Sequence, residues 1–267
     1  MRPPAGAAPA PVPAPDASGG AGNGGATERL KRDLRRSTIA RRDALPPAAR
    51  ADGSARVCGR LLELLGAVWP GGAGDGTWDG SASGDGAWGE GALAVFHSMG
   101  SEVDLRPLLR LLAGAGRMPR LAVPVALGGR RMEFVLAAPE ELLDGALLPA
   151  FLRHPSRVSA DNALAGRVRV PPAGIGFMVM PGVAFDARCG RLGYGGGFYD
   201  TYLARPDFAA PTCAVAFDEQ VVDGLVPREP HDRTPDALVT PTRLIRAPRE
   251  GATGMAGAGE QPAPEAR

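Results

Sequence analysis

The sequence predicts a single α/β domain built around a mostly parallel central sheet. Short apolar runs of strand length alternate with helical patterns along the chain, and this alternation is typical of parallel sheets covered by helices. The 267 residues are 44% hydrophobic, which is enough apolar side chain for one sizeable core. Segments rich in Ala, Pro and Gly at both ends confine that core to about residues 27–246, a length that suits one domain.

The first two elements are predicted to be helices. Thr27 can cap a helix that continues to about Asp43, because its hydroxyl accepts from backbone amides of the first turn. Pro46 and Pro47 end this helix, since proline lacks the amide that would extend it. A second helix, with an apolar stripe at helical spacing, is predicted over 48–68.

The following elements alternate between strand and helix. Helical patterns occupy 105–113 and 198–203. Buried strands are predicted from short apolar runs at 93–96, 121–125, 132–136, 175–180 and 213–217. Residues 149–172 show no clear period, so we expect irregular structure there.

Three segments of biased composition are expected to lie outside the core. Residues 1–26 and 247–267 contain too little apolar surface to offset the entropy of ordering them, which predicts disordered tails. Residues 71–91 are rich in Gly, with Asp and Ser, and predict a long surface loop inserted into the domain. An expendable insertion and a functional lid are both compatible with that composition.

Charge, hydropathy and cysteine spacing argue against several classes of protein. A net charge of +1 provides no overall field that would attract nucleic acid or an anionic membrane. The apolar runs are shorter than the roughly 20 residues of a membrane helix, and the N-terminus has no apolar signal-peptide core. Cys58, Cys189 and Cys213 lack metal-ligand spacing, so we expect buried or idle thiols. These features predict a soluble, cytoplasmic protein.

A glycine cluster between a predicted strand and a predicted helix is the clearest candidate for a binding site. Gly193, Gly195, Gly196 and Gly197 can direct several backbone amides at a phosphate, since glycine permits positive φ and close approach. The cluster matches neither a Walker A loop nor the dinucleotide-binding pattern. A glycine turn without a ligand is the alternative.

Asp200 follows this glycine cluster in the first turn of the predicted helix. A carboxylate there is well placed to hold Mg²⁺, which prefers one or two carboxylates together with phosphate oxygens. An acidic residue that merely favours the start of a helix is the alternative. All three tyrosines of the chain also lie close to the cluster, where their rings could stack on a heterocycle.

Lys31 and Arg35 form a second candidate site. They lie four residues apart on the first helix and share one face, so together they could neutralise a polyphosphate. Leu30 and Leu34 are expected to dock that helix. Lys31 is the only lysine among 30 basic side chains, which hints that a compact ammonium is needed there. A solvated charged face is the alternative.

Two further segments carry polar side chains in suitable places. His97 and Glu102 follow a predicted strand, where loops of open α/β sheets bind ligands, although a simple helix cap lies nearby at Asp104. His231 and Asp232 belong to a charged turn, and the pattern of that turn by itself favours solvent-facing residues.

Together these segments resemble the 5-formyltetrahydrofolate cyclo-ligase family over about residues 28–240. The most specific part is V-x-P-G-V-A-F-D-x-x-x-G-R-L-G-Y-G-G-G-F-Y-D-x-Y-L over 179–203. It is supported in order by K-x-x-x-R at 31–35, S-E-V-D at 101–104 and P-x-x-x-H-D at 227–232. Two departures are a phenylalanine, Phe198, where a tyrosine is common, and the lack of an I-x-E-P element near Val170.

The resemblance implies a three-layer α/β fold and a ligase activity. Members convert 5-formyltetrahydrofolate to 5,10-methenyltetrahydrofolate with ATP and Mg²⁺ and release ADP and phosphate. The formyl oxygen is phosphorylated, the neighbouring folate nitrogen closes the ring, and phosphate leaves. Positioning and charge neutralisation suffice for such phosphoryl transfer. We expect a monomer whose partner is the small-molecule folate.

The resemblance also implies roles for individual residues. The catalytic residues are Lys31, Arg191 and Tyr199. The ATP contacts are Lys31, Arg35, Arg191, Leu192, Gly193, Tyr194, Gly195, Gly196, Gly197, Phe198 and Tyr199. The folate contacts are His97, Glu102, Tyr194, Gly196 and Phe198. The Mg²⁺ ligands are Asp200 and Asp232.

Two other functions remain open from the sequence. A folate- or nucleotide-binding paralogue without turnover is possible, although such a binder need not retain every polyphosphate-binding group. A sugar-phosphate isomerase on a similar scaffold is the third hypothesis, but the chain offers no obvious pair of general bases for it.

Overall fold

The computed structural model of the protein describes residues 23–69, 91–155 and 158–248. Most of the predicted tails (1–26 and 247–267) and of the predicted insertion (71–91) lies outside these residues. The helices are α1 (Asn23–Asp43), α2 (Pro47–Val68), α3 (Arg106–Gly114), α4 (Pro139–Leu143), α5 (Ala150–Arg153), α6 (Ala160–Leu164) and α7 (Phe198–Leu203). The strands are β1 (Ala92–Ala94), β2 (Leu121–Ala126), β3 (Met132–Ala137), β4 (Arg169–Val170), β5 (Ile175–Met180), β6 (Ala184–Phe185), β7 (Arg191–Leu192), β8 (Thr212–Val215), β9 (Ala237–Val239) and β10 (Leu244–Arg246).

The described strands form an eight-stranded sheet in the order β10-β9-β8-β5-β1-β2-β3-β4 and a separate β6–β7 hairpin. The centre of the sheet, from β9 to β2, is parallel. The edge strands β3, β4 and β10 pair in the antiparallel direction. The predicted α/β fold with a mostly parallel central sheet is therefore confirmed, with antiparallel pairing added at both edges.

Helices cover both faces of the sheet, as the three-layer expectation requires. On one face, Leu61 of α2 and Leu108 of α3 are fully buried against Phe177 of β5. On the other face, Tyr202 of α7 packs edge-to-face on Phe134 of β3, with ring centroids 5.0 Å apart. Burial of this apolar area on both sides provides most of the driving force for folding.

The sheet brings two loop segments to the same edge. Strands β1 and β5 are parallel neighbours, with Ala94 opposite Met178. Because their carboxyl ends point the same way, the segments that follow them, 95–105 and 181–197, emerge side by side. The first segment carries His97 and Glu102, the expected folate contacts, and the second carries the glycine cluster.

Helix α1 buries its polar stripe rather than its leucines. Lys31, Thr38 and Arg42 are almost fully buried, whereas Leu30 is 51% exposed. The prediction that Leu30 docks this helix is therefore wrong, and Leu34 is only partly buried. The alternative that Lys31 belongs to a solvated charged face is also wrong, because Lys31 and Arg42 are buried and hydrogen-bonded to residues of neighbouring loops.

Several element boundaries differ from the predicted ones. Helix α1 begins at Asn23, so Thr27 lies within it, and the prediction that Thr27 caps the helix is wrong. The segment 149–172, predicted to be irregular, contains α5, α6 and β4, whose lengths of two to five residues are too short to show a period. The β6–β7 hairpin was also not predicted, because each of its strands has only two residues.

Candidate functional site

One cavity of about 430 Å³ contains all of the predicted site residues. This volume lies within the range of small-molecule sites. The predicted residues on its wall are Lys31, Arg35, His97, Glu102, Arg191, Leu192, Gly193, Tyr194, Gly195, Gly196, Gly197, Phe198, Tyr199, Asp200 and Asp232. Residues up to 201 positions apart in sequence therefore meet at one place.

The glycine segment is an open loop that joins β7 to α7. Gly195 and Gly197 have φ values of +99° and +66°, a region that side chains other than glycine rarely adopt. Arg35 Nε donates a hydrogen bond to the Gly193 carbonyl oxygen at 2.9 Å. This bond ties helix α1 to the loop, whose residues 195–197 line the cavity.

Arg191 and Asp200 form a buried ion pair beneath the loop. The Arg191 guanidinium donates to Asp200 Oδ1 at 2.7 Å and stacks over the Tyr199 ring at 5.6 Å. The amide of Arg233 donates to the same Asp200 oxygen at 3.0 Å. Arg191 Nε is buried and donates to no acceptor among the described residues, so it retains a free donor at the site. These two bonds hold the Asp200 carboxylate next to Arg233, the residue that follows Asp232.

Lys31 sits between two carboxylates on the same wall. Its ammonium donates to Glu229 at 2.6 Å and to Asp232 at 2.7 Å. Burial alone would lower the pKa of Lys31, but the two hydrogen bonds and charges outweigh burial and raise this pKa above its ordinary value. Burial would likewise raise the pKa of Asp232, but the Lys31 ammonium lowers it. All three groups are therefore charged at neutral pH.

The turn that carries Asp232 also groups possible metal ligands. One ligand atom from each of Glu229, His231 and Asp232 lies within 4.8 Å of the others. Oxygen ligands of this kind suit Mg²⁺. Asp200 lies close to this turn, because its carboxylate accepts a hydrogen bond from the Arg233 amide. Sequence reasoning had singled out Asp232 and treated His231 as a turn residue, but it gave no role to Glu229.

Tyr194 and Glu102 meet across the cavity entrance. The Tyr194 hydroxyl donates to Glu102 Oε1 at 2.5 Å and accepts from Arg42 Nη1 at 2.9 Å. Burial and the Glu102 charge raise the pKa of Tyr194 to about 12, so the phenol remains protonated as a donor. Glu102 also accepts from the Met99 amide at 2.9 Å. The glycine loop and the 95–105 loop are thereby joined by side chains.

Arg42 does not line the cavity but holds Tyr194 from a buried position, a role that the sequence did not reveal. Besides Tyr194, it donates from Nε to Ser101 Oγ at 2.8 Å, and Ser101 in turn bonds Asp43. Its position on the same helical stripe as Lys31 was visible in the sequence, but only the structure shows that this stripe is buried.

His97 lines the same cavity as Glu102. Partial burial lowers its pKa, and the nearby Arg106 charge lowers it further. The imidazole is therefore neutral at pH 7 and can accept or donate a hydrogen bond without adding charge. Apolar side chains complete this part of the wall and suit a flat ring system: Phe96, Pro124, Met132, Phe151 and Leu152.

Comparisons with known proteins place the chain in one family. The model of the 5-formyltetrahydrofolate cyclo-ligase family matches residues 88–241, which is more than half of the chain. The 5-formyltetrahydrofolate cyclo-ligase of Escherichia coli K12 is 30% identical over 153 residues, covering 57% of this chain and 79% of that protein. The mitochondrial enzyme of Arabidopsis thaliana is 42% identical over 81 residues, which span 27% of this chain but only 29% of the plant protein.

Solved structures agree with the sequence comparisons. The 5,10-methenyltetrahydrofolate synthetase of Aquifex aeolicus aligns with a TM-score of 0.57 and 26% identity over 85% of this chain and 97% of that one. The synthetase of Mycoplasma pneumoniae aligns with a TM-score of 0.54 over 79% of this chain and 98% of that one, and at 17% identity it supports the fold alone. None of the described helices is long and apolar enough to cross a membrane. From the family model and the shared motifs, this chain belongs to the 5-formyltetrahydrofolate cyclo-ligase family, whose members are ligases.

Proposed function

We propose that this protein converts 5-formyltetrahydrofolate to 5,10-methenyltetrahydrofolate with ATP and Mg²⁺, releasing ADP and phosphate. The observation that carries the proposal is that one cavity is lined by cationic side chains, by carboxylates and by the residues expected to bind folate. Lys31, Arg35 and Arg191 provide positive charge on the wall formed by the glycine loop, while Glu102 and His97 lie on the wall after β1. Membership of the family supports the same reaction.

The donor set fits a nucleotide phosphate chain and a divalent cation. Arg191 Nε is a buried donor without a partner among the described residues, and the loop backbone approaches the cavity through glycine. Asp200 and Asp232 are oxygen ligands of the kind that Mg²⁺ prefers. When bound, ATP supplies the phosphoryl group that turns the formyl oxygen into a leaving group, and Mg²⁺ offsets the phosphate charge.

The remaining work falls to positioning by the residues of this chain. Glu102 accepts hydrogen bonds from polar N–H groups of a pterin-like ring, and Tyr194 holds Glu102 in place. Neutral His97 contributes a further polar contact without repelling a weakly basic ring nitrogen. Holding the reacting groups in line replaces a bimolecular encounter and explains why a protein nucleophile is unnecessary.

A direct assay tests this function. Purified protein is mixed with 5-formyltetrahydrofolate and Mg²⁺, with and without ATP, and absorbance of the methenyl product is followed. We expect product only with ATP, and a loss of at least 100-fold in Lys31→Ala, which removes the cation between Glu229 and Asp232. Arg36→Ala, an exposed cation on the same helix, serves as the matched control and retains activity.

Other outcomes have defined meanings. Binding of ATP or folate without product would favour a silent binding paralogue, and no binding of either would contradict the proposal. We further propose that the protein is a cytoplasmic monomer, which light scattering of the purified chain and fractionation of cells that express it would test.

A further inference from the structure

Two arginines lie beside the glycine loop, each near a different glycine. A Cβ placed on Gly195 would lie 3.6 Å from the Cζ atom of Arg35. A Cβ placed on Gly197 would lie 3.4 Å from Cδ of Arg130 and 3.8 Å from its Nη1. The loop is thus flanked by one arginine from helix α1 and one from the turn between β2 and β3.

The two arginines differ in their partners. Arg35 is held by the Gly193 carbonyl oxygen and by Glu28. Arg130 lines the cavity, yet in the part of the chain that the structure describes no carboxylate or carbonyl accepts a hydrogen bond from it. A cation on a cavity wall beside backbone amides, without a compensating anion, is suited to an anionic ligand.

The backbone at Arg130 does not account for the choice of side chain. The turn is closed by the hydrogen bond from the Leu127 amide to the Arg131 carbonyl oxygen, and Gly129 and Arg130 both have positive φ, +70° and +62°. Glycine is the residue that such a position favours. Non-glycine residues held in this region tend to occur at functional sites, where the side chain has a purpose.

We infer that Arg130 binds a phosphate oxygen of the nucleotide that the glycine loop holds, as an additional cation of the phosphate site. The inference rests on the proposed function, because it takes the loop to be the nucleotide site. The position of Arg130 beside Gly197 favours phosphate as the anion, since the glycine loop and the guanidinium could then bind one group. A guanidinium also matches two phosphate oxygens with parallel donors.

The test compares two neighbouring arginines. Arg130→Gly removes the cation and places the residue that the positive φ favours, so the unliganded melting temperature should equal or exceed that of the wild type. Arg130→Asn is a second variant that tolerates the same φ. Arg131→Ala is the matched control, because Arg131 is exposed like Arg130 but does not line the cavity, and its side chain bonds only the Gly128 carbonyl among the described residues.

Binding is measured by calorimetry with MgATP and with inorganic tripolyphosphate, in the absence of folate. We expect both ligands to bind about tenfold more weakly, or worse, to Arg130→Gly and Arg130→Asn, and within twofold of wild type to Arg131→Ala. Unchanged tripolyphosphate affinity in folded Arg130 variants would overturn the inference. An increase confined to the KM for folate would also overturn it and would assign Arg130 to a substrate carboxylate.

The outcome separates this inference from the proposed function. Wild-type protein that forms no methenyl product but binds tripolyphosphate through Arg130 would contradict the function and support the inference. If the wild-type protein turns over folate and the Arg130 variants bind ATP normally, the proposed function is supported and the inference about Arg130 is contradicted.

Discussion

Lys31 Nζ lies 2.7 Å from Asp232 Oδ2, although 201 positions separate the two residues in sequence. The contact joins helix α1 to the turn at 229–232 and so closes one wall of the cavity. Because the ammonium is 5% exposed and the carboxylate 15% exposed, water screens the pair less than it screens a surface ion pair.

The first prediction concerns the pH dependence of this contact. The pKa of Lys31 is raised from 10.5, so its contribution is complete below that pH and is lost as pH rises through the higher folded-state value. The pKa of Asp232 is lowered from 3.8, so its contribution is complete above that pH and is lost as pH falls through the lower folded-state value. Lys31→Met should therefore destabilise the protein most between these limits.

Urea denaturation measures this difference. At pH 7 we expect Lys31→Met to lower the free energy of unfolding by about 1–3 kcal/mol, the usual loss for a hydrogen bond between charged groups. The deficit should shrink at the acidic and alkaline ends of the accessible range. Arg36→Met changes an exposed cation on the same helix and should show no such profile. A deficit that is constant with pH would mean that packing, not the ion pair, is lost.

The second prediction separates activity from stability at Asp200. Asp200→Asn removes the charge, but its side-chain oxygen can still accept from the Arg233 amide. We expect kcat/KM to fall at least 100-fold, because a proposed Mg²⁺ ligand is lost. The melting temperature should fall by several degrees, because the asparagine amide no longer offsets the buried Arg191 charge, but the protein should stay folded at room temperature. Asp207→Asn, an exposed carboxylate paired with Arg205, is the control. Unfolding of Asp200→Asn at room temperature would contradict a role in binding.

The third prediction concerns the hydroxyl that joins the two loops. Tyr194→Phe removes the hydrogen bonds to Glu102 and Arg42. We expect the KM for folate to rise about tenfold, with a smaller rise for ATP, since Glu102 loses the group that orients it. Tyr202→Phe is the matched control, because the buried Tyr202 hydroxyl has no partner among the described residues. Equal effects of the two variants would contradict an orienting role for Tyr194.

The fold class was predictable because it rests on local apolar periodicity, whereas the co-location of the site residues followed from the resemblance of the ordered motifs to a known family. Apolar runs identified β2, β3 and β5, and the order of the motifs placed Lys31, Glu102 and Asp200 together. The orientation of α1 was not predictable, because the buried face is polar and hydrophobic periodicity therefore points the wrong way. Arg42 and Glu229 were missed for a related reason: their importance comes from long-range partners, which a single sequence does not reveal.

The fourth prediction follows from the environment of the thiols. As the sequence suggested, Cys58, Cys189 and Cys213 are buried and free. Burial raises the pKa of Cys58 to about 12 and that of Cys189 to about 11, and it raises the pKa of Cys213 further still. Little thiolate is therefore present at pH 8. An aromatic disulfide reagent should label no thiol of the native protein and three after denaturation. Rapid labelling without denaturant would contradict this packing.

The last prediction concerns Asp186 and Gly190, the part of the family motif that we expect to serve structure rather than ligand binding. The buried Asp186 carboxylate accepts hydrogen bonds from the amides of Arg188, Gly190 and Val226, at 2.8, 2.8 and 2.9 Å. These bonds shape the turn of the β6–β7 hairpin, which in turn sets where the glycine loop begins. A Cβ at Gly190 would collide with the Asp186 carboxylate.

Gly190→Ala should therefore displace the carboxylate and cost about 2–4 kcal/mol in the free energy of unfolding, because buried amides lose their acceptor. Chemical denaturation measures this loss. Gly66→Ala in helix α2 is the matched control: its methyl group meets open space, and alanine favours a helix, so stability should hold or rise. At temperatures where Gly190→Ala is fully folded, the KM for ATP should stay within a fewfold of wild type. A large KM effect in a variant of normal stability would instead make this turn part of the nucleotide site.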